Sequence, residues 1–304
     1  MGKKHRFDIK KFMVEPDQKV NLGKISTKAG KEFDNREHAE ESLAADVSAL
    51  QEAQDKLYAD NRYSLLVILQ GMDASGKDGT IRHVMNGVNP LGCQAFAFKA
   101  PNATELEHHF LWRPMQYLPE RGKISLFNRS YYEEVLVVRV HPSFLEPQRL
   151  PSLKSLKPKS LDKLWASRYK EINALERTLV GNGTEVIKFF LHVSPDEQKR
   201  RLLERLQEPE KNWKFNAQDL EERRLWPEYK KAYEEMLAAT STKLAPWYVI
   251  PADNKWYARA AVADIICARV EELGLSYPAI SEEQRTQFAE LAKQLEAEPG
   301  LCDK

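Results

Sequence analysis

The sequence predicts an α/β fold, a parallel sheet covered by helices around a phosphate-binding loop, and three observations predict it. Apolar runs too short for typical helices recur along the chain, amphipathic helical stretches separate them, and the first run ends in a glycine-rich turn that opens a helix. The elements follow in order. The first 30 residues hold eight basic residues (Lys3, Lys4, Arg6, Lys10, Lys11, Lys19, Lys24, Lys28) against Asp8, Glu15 and Asp17, with little periodicity. They read as a basic arm, either a solvated leader or a donor of positive charge to a polyanion or partner site. Between Glu37 and Leu57 the positions Leu43, Val47, Leu50 and Leu57 recur at helical spacing, which predicts a surface helix leading into the main domain. Ser64 to Gln70 (SLLVILQ) suits a buried parallel strand and stops at Gly71. Gln94–Phe98, Lys123–Phe127, Val186–Val193 and Trp247–Pro251 read as further strands, and Thr80–Val88 as the helix after the loop.

Helix starts are marked by Thr104 with Glu107, ahead of Leu106, Phe110 and Leu111, and by Ser281 with Gln284, ahead of Phe288, Leu291 and Leu295. The Pro-, Ser- and Lys-rich stretch 142–160 reads as a surface excursion, because strands of the same pattern resume beyond it. The amphipathic segment Ser281–Glu298 is suited to packing on its own domain or on another subunit. The organisation expected is an arm with a lead-in helix over 1–50, one loop-bearing domain over 51–275 with a lid near 195–230, and a C-terminal helix over 276–304.

Composition narrows the classes. The 304 residues are 42% hydrophobic and 30% charged, with 46 Lys+Arg against 45 Asp+Glu, a globular balance that suggests no nucleic-acid coat. No run approaches the roughly 20 apolar residues of a membrane span, and the start lacks an apolar signal core, so a cytoplasmic location is expected. Cys93, Cys267 and Cys302 are scattered, odd in number and without metal-ligand spacing, which supports neither disulfides nor zinc.

The strongest local signal is Gly71-Met-Asp-Ala-Ser-Gly76-Lys77, a G-x-x-x-x-G-K loop after a strand and before a helix. Its backbone, from Gly71 through Asp73, Ala74, Ser75 and Gly76 to Asp78 and Gly79, is positioned to cradle phosphate oxygens, and Lys77 supplies a mobile cation. Asp78 stands where a Ser or Thr normally serves magnesium, and Asp73 adds a second carboxylate inside the loop. Two acids would repel phosphate unless a hard cation intervenes, so Asp73 is expected to hold Mg²⁺, with Mn²⁺ as a substitute. Asp78 either assists it or is a first-turn acid favoured by the helix dipole. Asn128 and Arg129 follow the third strand. Arg129 is a natural transition-state cation at the strand's carboxyl edge, with a buried ion pair as its plain structural alternative. A third basic cluster, Arg200, Arg201, Arg205, Lys211 and Lys214, starts on a helix whose buried face is expected to be Leu202, Leu203 and Leu206. It reads either as a solvated charged helix or as a lid closing cations over phosphate. Trp213 reads as a hinge anchor or a core residue. His83, His108 and His109 read as surface or packing residues.

Taken together and in order, GMDASGKDGTIRHV, FNRSYYEEVLVVRVHP, FFLHVSPDEQKRRLLERL, EKNWKF and APWYVIPADNKWYARAAV resemble the polyphosphate kinase 2 family over roughly Asp55 to Leu273. The resemblance implies a thymidylate-kinase-like fold with a helical lid. It implies Mg²⁺-dependent transfer of a terminal phosphoryl group between inorganic polyphosphate and adenine nucleotides, extending to guanine nucleotides, by a homo-oligomer. It also implies that Asp73 is the metal-binding loop aspartate, Lys77 the loop lysine, Asn128 and Arg129 the start of the second motif, and Arg201, Arg205, Lys211 and Lys214 lid cations. Asn254-Lys255-Trp256-Tyr257 resembles the late loop near the nucleotide. Tyr132, Glu133 and Glu134 resemble the Tyr-Glu-Asp of members that accept both AMP and ADP, with Glu134 in place of Asp. Two other readings of the residues are an ATP-dependent nucleoside monophosphate kinase and a non-catalytic nucleotide- or polyanion-binding protein.

Overall fold

The computed structural model describes residues 5–298; Lys3, Lys4, Cys302 and the rest of both chain ends lie outside the described residues. Strands β1 (Ser64–Gln70), β2 (Cys93–Ala97), β3 (Ile124–Asn128), β4 (Thr184–His192) and β5 (Trp247–Pro251) form one parallel sheet in the order β2-β3-β1-β4-β5. Every residue of β1 is buried, which is why the strand reads as an uninterrupted apolar run: it is central and both its faces are covered.

Alternation along β4 assigns the covering layers. Glu185 pairs with Arg269 of α10 (Lys255–Glu271), and Lys188, on the opposite face, pairs with Glu176 of α6 (Pro158–Gly181). On the α10 side lie α1 (Arg36–Asp60) and α2 (Lys77–Val84). Leu43, Val47, Leu50 and Leu57 of α1 are buried, as their spacing predicts, and Asn35 caps the helix by accepting from the His38 amide. On the α6 side lies α9 (Trp226–Thr240), with Tyr233 against Phe190 of β4. Three one-turn helices, α3 (Ala103–Leu106), α4 (Trp112–Met115) and α5 (Val137–Val140), flank β3 in sequence. Helices α7 (Pro195–Gln207) and α8 (Gln218–Arg224) precede α9, and α11 (Glu282–Ala297) ends the described chain.

Several expectations are corrected. The capping box of α3 is Asn102 with Glu105, because Asn102 has the extended backbone of a cap and Thr104 already lies inside the helix. The Ser281–Gln284 box of α11 forms as expected, but Phe288, Leu291 and Leu295 are exposed, so α11 does not bury its stripe on its own domain. In α7 the buried set is Gln198, Arg201 and Leu202, whereas Leu203 and Leu206 are exposed. The arginine wins the buried face because backbone carbonyls satisfy its guanidinium, as described below. Trp213 is neither core nor anchor: it is 78% exposed, with the Lys214 ammonium 5.0 Å from its ring centre.

The basic arm is not a solvated leader. Phe7, Phe12, Val14, Val20 and Leu22 are buried, and Phe7 meets Phe12, Phe33 and Tyr257 edge-on. The Val14 amide donates to Trp247 O and the Val249 amide to Phe12 O, both at 2.8 Å, so the arm pairs antiparallel with β5 at the sheet's edge. Residues 142–160 form a surface excursion, as expected, anchored by the buried Leu145. No described helix is long and apolar enough to cross a membrane.

Candidate active site

The chain crosses from β3 on one side of β1 to β4 on the other, and the loop after β1 lies at that reversal, on the carboxyl edge where parallel sheets bind ligands. Gly71 is required by close approach: a Cβ there would lie 2.7 Å from Ser75 Oγ and 2.8 Å from Leu191 O. Gly76 has φ +109°, a conformation that favours glycine, and starts α2. Ala74 (φ +60°) and Arg129 (φ +63°) hold left-handed backbone without being glycine, a strain of order 1–3 kcal/mol each that the surrounding fold must maintain.

Around the loop lies a cavity of about 560 Å³, onto which the fold brings Asp73, Ala74, Ser75, Gly76, Lys77, Asp78, Gly79, Asn128, Arg129, Arg201, Arg205, Lys211 and Lys214. Gly71 stays beneath it, and Glu133 lines a smaller neighbouring cavity with Arg113 and Glu134. Four more cations face the main cavity: Arg82 of α2, Lys99 after β2, and Lys255 and Arg259 of α10. The lining thus carries ten cations against Asp73, Asp78 and Glu204, an excess matched to a ligand with many negative charges. Lys255 is shifted down by burial and then by Arg201, Arg200 and Lys211, against the pull of Glu204; Arg259 is shifted down by burial, Arg82 and Arg36. Crowding of like charge leaves these cations wanting an anion.

Arg82 and Arg259 escaped sequence reasoning because they converge only when α2 and α10 pack. The signal that existed was the spacing of Arg259, one helical turn after Lys255; Arg82, five residues after Lys77, offered none.

The side chains of several predicted residues have definite partners. Lys77, buried, donates to Gly71 O at 2.7 Å and Met72 O at 3.2 Å. Burial and then Arg129 lower its pKa to about 8, against the pull of Asp73, Glu133 and Asp78. Arg129 donates to Asp73 Oδ1 at 2.6 Å and to Glu133 Oε2 at 3.1 Å, and these acids keep it firmly protonated despite burial. Asn128 Nδ2 donates to Asp78 Oδ1. Arg201 is a clamp and not a mobile lid cation: its guanidinium donates to Ala74 O, Ser75 O, Ala252 O and Asp253 O and pairs with Glu197. It ties the phosphate loop to the end of β5. Arg205 is held by Asp219 of α8 at 3.2 Å and Lys211 by Glu204 and Glu208, so both cations are paired with neighbouring acids.

A sequence model of the family described as polyphosphate kinase 2 (PPK2) matches residues 33–275. The chain belongs to the polyphosphate kinase 2 family. It is 49% identical over 290 residues to the ADP-polyphosphate phosphotransferase of Rhodopseudomonas palustris, covering 95% of this chain and 99% of that one. It is 44% identical over 271 residues to the AMP/ADP-polyphosphate phosphotransferase of Meiothermus ruber, covering 89% and 96%. The crystal structure of polyphosphate kinase 2 from Arthrobacter aurescens TC1 superposes with a TM-score of 0.82 at 34% identity, covering 94% of this chain and 98% of that one. The family membership agrees with the parallel sheet, the phosphate loop and the surplus of cations around it.

For this polyphosphate kinase 2 member the depressed Lys77 pKa predicts that an anion taken up by the ammonium binds in a pH-dependent way. The ammonium must be charged to meet an anion, so affinity is flat below pH 8, where it is already protonated, and falls as pH rises through 8. Calorimetric titration of polyphosphate in buffers of different ionisation enthalpy is expected to show proton uptake at pH 9 that is absent at pH 7. A weakening of about tenfold per pH unit above 8 should accompany it.

Proposed function

We propose that this chain moves the terminal phosphoryl group of inorganic polyphosphate to AMP and to ADP, and on to guanine nucleotides of the same charge, working in the cytoplasm as a homo-oligomer. The observation that supports the donor is the ten-cation cavity: it extends past the loop onto α2, α10 and the α7–α8 region, more positive surface than one nucleotide needs. A phosphate oxygen of the acceptor attacks the terminal phosphorus, the bridging P–O bond breaks, and the shortened chain departs with the bond's electrons. The acceptor is already ionised, so no general base is required; positioning and charge neutralisation carry the reaction.

Within this reading Lys77 leaves its two loop carbonyls for the transferring group, and Arg129 spans donor and acceptor oxygens with its fork. Ser75 Oγ, buried and without a hydrogen-bond partner among the described residues, is available to the same anion. The donors present suit Mg²⁺. Asp73 and Asp78 are hard oxygen ligands beside the phosphate loop, and no group of three or more acids, histidines or cysteines able to hold a metal occurs among the described residues. Magnesium typically takes one or two carboxylates and completes its shell with substrate phosphates and water. Asp73 would hold it, with Asp78 assisting, and the ion would neutralise phosphate charge. Tyr132, Glu133 and Glu134 support acceptance of AMP. Glu133 and Glu134 both line the smaller cavity; Glu133 pairs with Arg129, whereas Glu134 is engaged by Arg168 and Gln148 and acts as structure.

The test is a coupled assay for ADP and ATP formation from AMP and from ADP, each with long-chain polyphosphate and Mg²⁺, with Asp73→Asn as control. Turnover in both lanes by the wild type and a loss of about 10²-fold or more in the variant are expected. Turnover with ADP alone would overturn the AMP assignment. Turnover only with ATP and a nucleoside monophosphate would overturn the donor.

A further inference from the structure

A cluster of buried ionisable groups adjoins the turn after Arg129, and none of its members lines the phosphate-loop cavity. Glu176 of α6 and Lys188 of β4 are 1% and 0% exposed. Glu176 Oε1 accepts from the Tyr131 hydroxyl at 2.9 Å and the Tyr132 hydroxyl at 2.7 Å, and Oε2 accepts from Lys188 Nζ at 2.6 Å. The ammonium also donates to the Tyr132 hydroxyl at 3.0 Å and Thr240 O at 2.7 Å, so its three protons all have acceptors. Burial first, and Glu176 second, push both phenols well above the ordinary range, so they remain donors.

A buried ion pair is a poor source of stability, since desolvation consumes most of the attraction and hydrophobic replacements of the same shape often fold as well or better. What it supplies is a fixed position. The positions it fixes are residues 131 and 132, immediately beyond the strained Arg129. On the other side of the strain, the Arg129 amide donates to Leu69 O at 3.0 Å, which pins that end to β1. Between the anchors the Ser130 hydroxyl caps the turn by accepting from the Tyr132 amide, and Glu133 returns to the Arg129 guanidinium.

We infer that Glu176 and Lys188 are positioning residues for phosphoryl transfer: through the hydroxyls of Tyr131 and Tyr132 they hold the Arg129–Glu133 turn in its left-handed geometry, with the guanidinium aimed at Asp73. They touch no substrate and act through Arg129 alone. The inference rests on the proposed reaction, and wild-type turnover with polyphosphate is the control that separates failure of the one from failure of the other.

Two variants test it. Glu176→Leu with Lys188→Met replaces the pair by apolar groups, and Tyr131→Phe with Tyr132→Phe removes the tethers while leaving the pair in place. Both are expected to keep a cooperative thermal transition and the polyphosphate KM, and to lose kcat by about 10²-fold, the size of effect that a misplacement of about 1 Å produces. The tyrosine variant carries the test alone if the apolar one does not fold. The decisive readout is non-additivity. In an Arg129→Ala background the tyrosine substitutions are expected to change the residual rate by less than twofold, because the group they position is gone. Unchanged kcat in the folded variants, or a full second loss in the Arg129→Ala background, would overturn the inference.

Discussion

Lys77→Ala is expected to lower phosphoryl transfer by about 10³-fold or more, equivalent to about 4 kcal/mol of transition-state stabilisation. The magnitude follows from where the ammonium sits. It is buried under the loop and bonded only to Gly71 O and Met72 O, two neutral acceptors that it can exchange for phosphate oxygens without rearranging any other side chain. Arg129 lies close enough to depress the Lys77 pKa, and both cations line the same cavity. The fold should tolerate the change, because removing a cation whose burial disfavours its charge relieves desolvation while two loop carbonyls lose a donor. Comparison of kcat with the thermal midpoint decides the matter. A loss below tenfold would take Lys77 out of the reaction.

Arg129→Ala should be comparably severe, with a loss of about 10³- to 10⁵-fold, the range for arginines that neutralise a transferring phosphoryl group. Two effects add here: the fork of donors disappears, and Asp73 and Glu133 lose the cation that keeps them paired. Arg129→Lys separates them, since lysine restores charge without the fork and should recover only part of the rate. The backbone adds an independent check. At φ +63° alanine keeps the strain and glycine removes it, so Arg129→Gly should be more stable than Arg129→Ala by about 1 kcal/mol while equally inactive. Equal thermal midpoints would mean that the surrounding turn, and not residue 129, sets that conformation.

Much of this site is legible before folding because the chemistry of a phosphate loop is local. Gly71, Gly76 and Lys77 lie within seven residues, and the strand before them announces itself because a central parallel strand must be apolar on both faces. The misreadings share a physical cause. Leucines at 202, 203 and 206 imply a buried face only if arginine stays in water, and Arg201 does not, because Ala74, Ser75, Ala252 and Asp253 offer it four carbonyls that no sequence pattern advertises. The arm was obscured in the opposite way. Phe7, Phe12, Val14, Val20 and Leu22 are spaced irregularly among lysines on chain whose only helical pieces are the short 3-10 turns Ile9–Lys11 and Leu22–Lys24, so neither a period of two nor of 3.6 reveals that they are core. Lys188 and Glu176 show the same limit: each looks like a surface charge until the sheet and α6 bring them together.

The pairing of residues 12 to 14 with β5 also sets the order in which the chain can be finished on the ribosome. The partner strand begins at Trp247, so residues 12 to 14 must wait for more than 230 further residues before their carbonyls and amides find their ladder. Domains commonly fold from the amino terminus as synthesis proceeds, and contacts between distant positions close slowly. Residues 12 to 14 can therefore complete this pairing only once β5 has been made, and until they do the flank of β5 is an unpaired strand edge, open to strands from other chains.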